Sequence, residues 1–300
     1  MRVEEIIFGF AEEKGVAAGI TTAEPFWEIA EELAEKTGEL TGFVCQDMEK
    51  RIDPRKTMPE ARSIVVLAKS YKKRFDFRPD GEKRGKISMG AIGPDYHIQM
   101  KALFAELISR IQQKTGFRYM VFADTGPLSD RSAALRAGLG VLGKNGAVIS
   151  RLGSMINLGY MLTDLPLTPA KALSEDFCGD CTRCFSACPT GALTEAGYDF
   201  KKCISYLTQK KGELSPEEKH WLGTALYGCD ICFLACPANK DAPGEPVTDI
   251  SDARPLLESV LKLTNRGFKE KYGQTAMGWR GAGPIKRNAR AALENLEGKE

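Results

Sequence analysis

Apolar positions recur at helical spacing in residues 2–14, 25–36 and, most strongly, 98–113 (IQMKALFAELISRIQQ), where Ile98, Ala102, Ala105, Ile108 and Ile111 share one face. Short runs of strand-forming residues stand at 63–68 (SIVVLA), 118–123 (RYMVFA) and 146–150 (GAVIS), with a more ambiguous apolar run at 155–162. The alternation predicts an α/β arrangement over residues 1–170, a sheet covered by helices. A loop with two prolines, 163–173 (TDLPLTPAKAL), marks a boundary to a cysteine-rich module over 171–245. After Pro237 a polar connector, 239–249 (NKDAPGEPVTD), leads to a helical C-terminal segment over 246–300 whose apolar part holds Leu256, Leu257, Val260, Leu261 and Leu263. The fold class expected from this reading is α+β.

Composition narrows the class. With 43% hydrophobic and 27% charged residues in 300, the chain reads as an ordinary globular protein with room for two domains. No run approaches the ~18 apolar residues that span a bilayer. The N-terminus lacks an apolar signal core, so a cytoplasmic location with no membrane partner is expected; a monomer is expected as well. The net charge of +2 conceals a polarity. Residues 1–60 carry fourteen acidic and seven basic side chains, whereas 69–86 carry eight basic and three acidic, and 261–290 eight basic and one acidic. Such basic segments suit a polyanion, RNA foremost, or serve as solvated faces.

Eight of nine cysteines fall between Cys178 and Cys236. Residues 178–189 (CGDCTRCFSACP) follow the C-x2-C-x2-C-x3-C-P spacing of two-cluster ferredoxins, and Cys203 precedes a second run, 229–237 (CDICFLACP). Three thiolates spaced by two residues wrap three corners of a cubane, while the cysteine before proline reaches the other cluster. The spacing therefore assigns Cys178, Cys181, Cys184 and Cys236 to one [4Fe–4S] cluster and Cys188, Cys203, Cys229 and Cys232 to the second. Two structural zinc ions would also take eight thiolates, but zinc sites are built from separated C-x2-C pairs rather than four cysteines in eleven residues. The long region preceding the module implies that the clusters serve an active site elsewhere in the chain.

Upstream, residues 122–131 (FADTGPLSDR) run from a strand towards a helix. Asp124 at that strand end suits proton transfer; a turn or N-cap aspartate is the plainer alternative. Gly138, Gly140 and Gly143 spell G-x-G-x-x-G, but they follow a helix and precede a strand, the reverse of a dinucleotide site.

These segments together resemble the epoxyqueuosine reductases. The resemblance is carried by 49–54 (EKRIDP), 95–97 (DYH), 124–131 (DTGPLSDR), 136–145 (RAGLGVLGKN), the eight cysteines, 203–208 (CISYLT), 227–230 (YGCD) and 265–272 (NRGFKEKY). It implies a corrinoid-binding catalytic domain over 1–170 and two [4Fe–4S] clusters, fed by an external low-potential electron donor, that reduce bound cobalamin to cob(I)alamin. It implies reduction of epoxyqueuosine to queuosine in tRNA, with Asp124 as proton donor and Arg51, Ser88 and Lys211 as corrinoid contacts. One departure is Ile92, where the family usually has tryptophan, and helical repeats found C-terminally in many members are not part of this sequence. The resemblance also implies corrinoid binding without a protein histidine, leaving His97 a structural or substrate-side role. His220, in the polar stretch 215–223 (SPEEKHWLG), reads as a surface position, and Cys45, with no partner cysteine in sequence, as a packing residue. The alternatives are a corrinoid-dependent reductase of another substrate, as in reductive dehalogenases, and an iron–sulfur electron carrier.

Overall fold

The computed structural model describes residues 2–30 and 45–298, which divide into two compact units. The first comprises residues 1–70 and 97–180, the second 71–96 and 181–300.

The first unit is built on a four-stranded sheet, ordered Ala17–Thr22, Ser63–Ser70, Ile156–Thr163 and Tyr119–Phe122, every pair antiparallel. The ambiguous run at 155–162 is thus a central strand, pairing Ile64 with Leu162 and Val66 with Tyr160. Alternation along Ser63–Ser70 feeds two cores. Ile64, Val66 and Ala68 join Tyr160, Leu162, Phe26 and the helix Asp130–Arg136 on one face. Val65 and Leu67 join Ile20, Met161, Phe10 of the helix Val3–Glu13 and Phe104 of Tyr96–Gln112 on the other. Burial on both faces explains why the strand reads as an unbroken apolar run.

The helix Tyr96–Gln112 forms where its periodicity predicts, but its buried face keeps only Ile108 and Ile111 of the five expected residues. Met100, Phe104, Leu107, Ile108 and Ile111 are buried, whereas Ile98 is 52% exposed and Ala102 and Ala105 face solvent. The larger side chains remove more apolar surface from water and so decide the orientation. Of the helix expected at 25–36, Trp27–Ile29 is a 3-10 turn and residues 31–36 lie outside the described residues.

In the second unit, residues 71–96 are tied to the cysteine module by parallel pairs. Lys73–Phe75 pairs with Glu245–Val247, and Lys86–Ile87 with Ala225–Tyr227. Lys72 Nζ reinforces the first pair by donating to the carbonyls of Asn239 and Ala242, each at 2.6 Å. The C-terminal helix Ala282–Glu297 packs against Ile204–Gln209, Pro216–Leu222, Ala225–Tyr227 and Leu257–Lys262. Its buried Arg287 donates to the carbonyls of Leu207, Lys210 and Gly212 at 2.9, 2.8 and 2.6 Å. Both Nε and Nη2 also reach Asn288 Oδ1, and Asn288 Nδ2 donates to the carbonyls of Thr208 and Leu226. A single guanidinium thus serves the carbonyls of Leu207 and Lys210 at the end of the helix Ile204–Gln209, where the helix dipole favours positive charge.

Candidate active site and cluster module

The edge strand Tyr119–Phe122 passes through buried Ala123 to Asp124, whose φ of 59° is the only positive value of a non-glycine among the described residues. For an L-residue this conformation costs roughly 1–2 kcal/mol, and aspartate is among the residues that tolerate it. The surrounding turn is over-determined. Asp130 Oδ2 accepts the Asp124 N–H at 2.9 Å, and the Tyr160 hydroxyl accepts the Leu128 N–H at 3.1 Å. Ser129 caps the helix Asp130–Arg136 by accepting from Ser132 N. At Gly126 a Cβ would lie 2.1 Å from the Tyr160 hydroxyl, so the turn closes only over glycine. The outcome is an aspartate fixed through its backbone while its side chain stays 66% exposed, with Oδ2 3.8 Å from His97 Nε2.

Beneath the turn lies a polar group that sequence reasoning did not assign. Burial pushes the Asp130 carboxyl up to about 7, helped by the Asp124 charge and opposed by the Asp124 N–H and Arg131. Its Oδ1 is enclosed and, among the described residues, has no hydrogen-bond partner. Arg51 is 9% exposed, and burial lowers its pKa against the countervailing pull of Cys45, Asp130 and Tyr160. Arg51 Nε and Asn145 Nδ2 are likewise buried without a partner among the described residues. Cys45 therefore sits electrostatically beside Arg51 and Tyr160 and is partly exposed. The only early hint of Asp130 is its place in the 124–131 motif, where it looks like an ordinary first-turn helix residue.

The glycine-rich segment is a hairpin, Gly140–Leu142 paired with Val148–Ser150, entered through Gly138 in a left-handed conformation. It is not a strand–turn–helix. Its tip approaches the first predicted ligand: Lys144 N donates to Cys178 Sγ at 3.5 Å, and Lys144 Nζ to the Gly179 carbonyl.

The other seven predicted ligands lie in the second unit. The short helices Arg183–Ala187 and Ile231–Leu234, each flanked by predicted ligand cysteines, pack together. Burial pushes the Cys229 thiol up to about 11, reinforced by Cys203 and Cys188. Burial pushes Cys232 up to about 12, reinforced by Cys229, Cys203, Cys184 and Cys188. Cys232 thus feels the other three predicted ligands of the second cluster, and Cys229 feels two of them. Burial also opposes ionisation of Cys188, but the Thr190 hydroxyl and the N–H groups of Thr190, Ala192 and Leu193 outweigh it and hold this thiol below its ordinary value. Crowded thiols raise one another's pKa when each is treated as an anion beside anions; bound iron removes that penalty by taking the thiolates as ligands. Backbone N–H groups aimed at sulfur suit a cluster thiolate. Among the described residues, no three His, Cys, Asp or Glu side chains are gathered around a single-ion position.

Ser88 sits against the cysteine loop. Its Oγ donates to Asp230 Oδ1 at 2.7 Å, and Met89 N donates to Asp230 Oδ2 at 2.8 Å. Gly228, at φ 70°, passes so close that a Cβ would meet Ser88 Cβ at 2.5 Å. Ile92 is buried with Ile87, Ala91 and Leu226, so the departure from tryptophan is a core position of this unit. Lys211 lies on the loop clamped by Arg287, at a cavity of about 760 Å3 lined also by Lys269, Arg280, Arg290 and Glu213. His220 is exposed, as expected. No described helix is long and apolar enough to cross a membrane.

Residues 177–239 match the 4Fe-4S double cluster binding domain, and residues 51–125 match the epoxyqueuosine reductase family QueG, DUF1730. The epoxyqueuosine reductase of Bacillus subtilis (strain 168) is 39% identical over 309 residues, an alignment spanning 99% of this chain and 80% of the relative. The solved structure of epoxyqueuosine reductase from Streptococcus thermophilus superposes with a TM-score of 0.92 at 37% identity, covering 99% of this chain and 82% of that one. A crystal structure of epoxyqueuosine reductase with an epoxyqueuosine-modified tRNA-Tyr stem loop gives a TM-score of 0.93 at 38% identity, covering 98% and 82%. With a double-cluster domain in place and identity sustained along almost its whole length, this chain belongs to the epoxyqueuosine reductase family.

Proposed function

We propose that the protein reduces epoxyqueuosine to queuosine in tRNA, using cobalamin and two [4Fe–4S] clusters, with Asp124 as proton donor. The observation that carries this reading is the Asp124 turn: a strained aspartate, held by its backbone, presenting its carboxyl outward beside His97. Such pre-organisation is spent where chemistry is done.

Converting an epoxide to an alkene and water consumes an electron pair and two protons. Cys178, Cys181, Cys184 and Cys236 would hold one cluster and Cys188, Cys203, Cys229 and Cys232 the other, and with cobalamin bound these groups would supply the electron pair. The chain's own part is to bind, orient and protonate. Asp124 delivers a proton to the oxygen released as the epoxide C–O bond breaks, and its exposed carboxyl is recharged from solvent. Arg51, Ser88 and Lys211 are the proposed corrinoid contacts. Arg51 Nε and Asn145 Nδ2, buried without a hydrogen-bond partner among the described residues, fit a ligand rimmed with carboxamides, whose oxygens would satisfy them. A tRNA substrate is supported by the basic cavity of Lys211, Lys269, Arg280 and Arg290, since phosphodiesters are held chiefly by such cations.

The test is anaerobic reconstitution with iron, sulfide and hydroxocobalamin, followed by reduction in the presence of an epoxyqueuosine-bearing stem loop. Queuosine formation is expected, and Asp124→Asn is expected to lose it while keeping the cluster and cobalamin spectra. A wild-type protein that carries both cofactors yet leaves the stem loop unchanged refutes the substrate; an active Asp124→Asn variant refutes the proton donor.

A further inference from the structure

The left-handed conformation of Asp124 is one that an L-residue adopts only with support from its surroundings. Its N–H points into the turn, and a left-handed aspartate without an acceptor for that group relaxes towards ordinary backbone values. The acceptor is a side chain six residues on, at the start of the helix Asp130–Arg136. That helix is anchored by Ser129 at its cap and by Ala133 and Ala134 in the sheet's core. Asp130 is thus carried by a rigid element, whereas Asp124 projects from the end of a strand. The carboxylate gives one oxygen to the Asp124 N–H, and its second oxygen is enclosed without a partner among the described residues. Arg131, next to it, spends Nη1 on the Gly146 carbonyl at 2.7 Å rather than on Asp130. A buried carboxylate given only to backbone N–H groups, with one oxygen unpartnered among the described residues, is a costly arrangement that stability does not explain.

We propose that Asp130 is the positioning residue of the active site, a latch whose carboxylate oxygen holds the Asp124 backbone in its left-handed conformation and thereby aims the Asp124 carboxyl at the substrate. The assignment rests on the functional reading of Asp124 given above, and it acts through Asp124 alone. Asparagine preserves the acceptor oxygen in the same place, and its amide group can occupy the second oxygen's position. Alanine removes the acceptor, and leucine fills the volume without restoring it.

Two measurements test the latch. The first needs no turnover: amide hydrogen exchange of the segment around Asp124 in the iron-loaded protein. Exchange at the Asp124 amide should quicken about tenfold or more in Asp130→Ala and stay near wild type in Asp130→Asn. The second is single-turnover kinetics on the modified stem loop. Asp130→Ala should lower the rate constant by about 10- to 100-fold with substrate affinity unchanged, and Asp130→Asn should recover it to within about threefold. Combining Asp130→Ala with Asp124→Asn should cost no more than Asp124→Asn alone. Asp130→Leu replaces the alanine variant if that one does not fold. Unchanged exchange in the alanine or leucine variant overturns the latch, as does an asparagine variant as slow as alanine or a double variant whose losses multiply. A wild-type protein inactive on the stem loop overturns the functional reading instead, and the exchange data still decide whether Asp130 holds the turn.

Discussion

Arg287→Met offers the sharpest energetic test of the second unit. The wild-type guanidinium serves the carbonyls of Leu207, Lys210 and Gly212, and methionine leaves all three without a donor. An unsatisfied buried carbonyl costs about 1–3 kcal/mol. The Lys210 and Gly212 bonds are only part-buried and regain water, so the low end applies to them. Against the loss stands the recovered cost of burying a cation, which itself lowers the Arg287 pKa. The net is about 2–4 kcal/mol, localised to the end of the helix Ile204–Gln209 and the loop bearing Lys211. Native-state hydrogen exchange reads this as a loss of protection by about 30- to 1,000-fold in residues 204–212. Arg287→Lys, with a single ammonium in place of the fork, should fall between. Cobalamin affinity should decline in the same order, because the clamped loop carries Lys211, the proposed corrinoid contact. If Arg287→Met left exchange in this segment within threefold of wild type, or raised it evenly along the chain, the clamp would not be what orders the loop.

Three further outcomes are expected. Because the Asp130 pKa of about 7 in the folded protein exceeds the ordinary 3.8, ionising it costs stability that begins above about pH 4 and is fully incurred above about pH 7. Asp130→Asn should therefore stabilise the first unit at pH 8 relative to pH 4, by at most about 4 kcal/mol, and a pH-independent difference in denaturant melts would contradict this. Cys203→Ser should reduce iron per chain by up to half, whereas Cys45→Ser should leave iron content unchanged; equal losses in both would reject the ligand assignment. Removing charge at Lys269 or Arg290 should weaken stem-loop binding and lower the salt slope of log K by about 1 each, with a slope identical to wild type counting against the cavity as a phosphate contact.

Elements that announce themselves locally were legible in the chain. The strand at 63–70 carries its two-sided burial in consecutive apolar residues, and the cysteine spacing reflects the geometry of a cubane. Reading 98–113 by periodicity found the helix but selected alanines over Met100, Phe104 and Leu107, because a face is decided by what it packs against and not by spacing alone. The parallel pairing of residues 71–96 with strands some 140 to 170 residues later has no local signature, since its ladder bonds are backbone groups that every sequence possesses. Asp124 stood out through its motif, yet its left-handed backbone and the acceptor at Asp130 are products of a turn closed by Tyr160 and Gly126. Arg287 was counted in a basic run, where only the structure separates a buried carbonyl clamp from a solvated charge.

The parallel pairs also set an order of events during synthesis. Lys73–Phe75 and Lys86–Ile87 leave the ribosome early but find their partners only when Ala225–Tyr227 and Glu245–Val247 emerge. At ~5–20 residues per second, that leaves two strand edges unpaired for on the order of ten seconds. Meanwhile the sheet of the first unit is complete once Thr163 has been made. Cysteines that leave the ribosome before their unit can close are open to oxidation and to mismatched metal, so iron delivery must either await the finished chain or be chaperoned. Excising residues 177–239 as a free-standing electron carrier would leave Ala225–Tyr227 without its partner Lys86–Ile87, and the excised piece should hold iron less well than the whole chain.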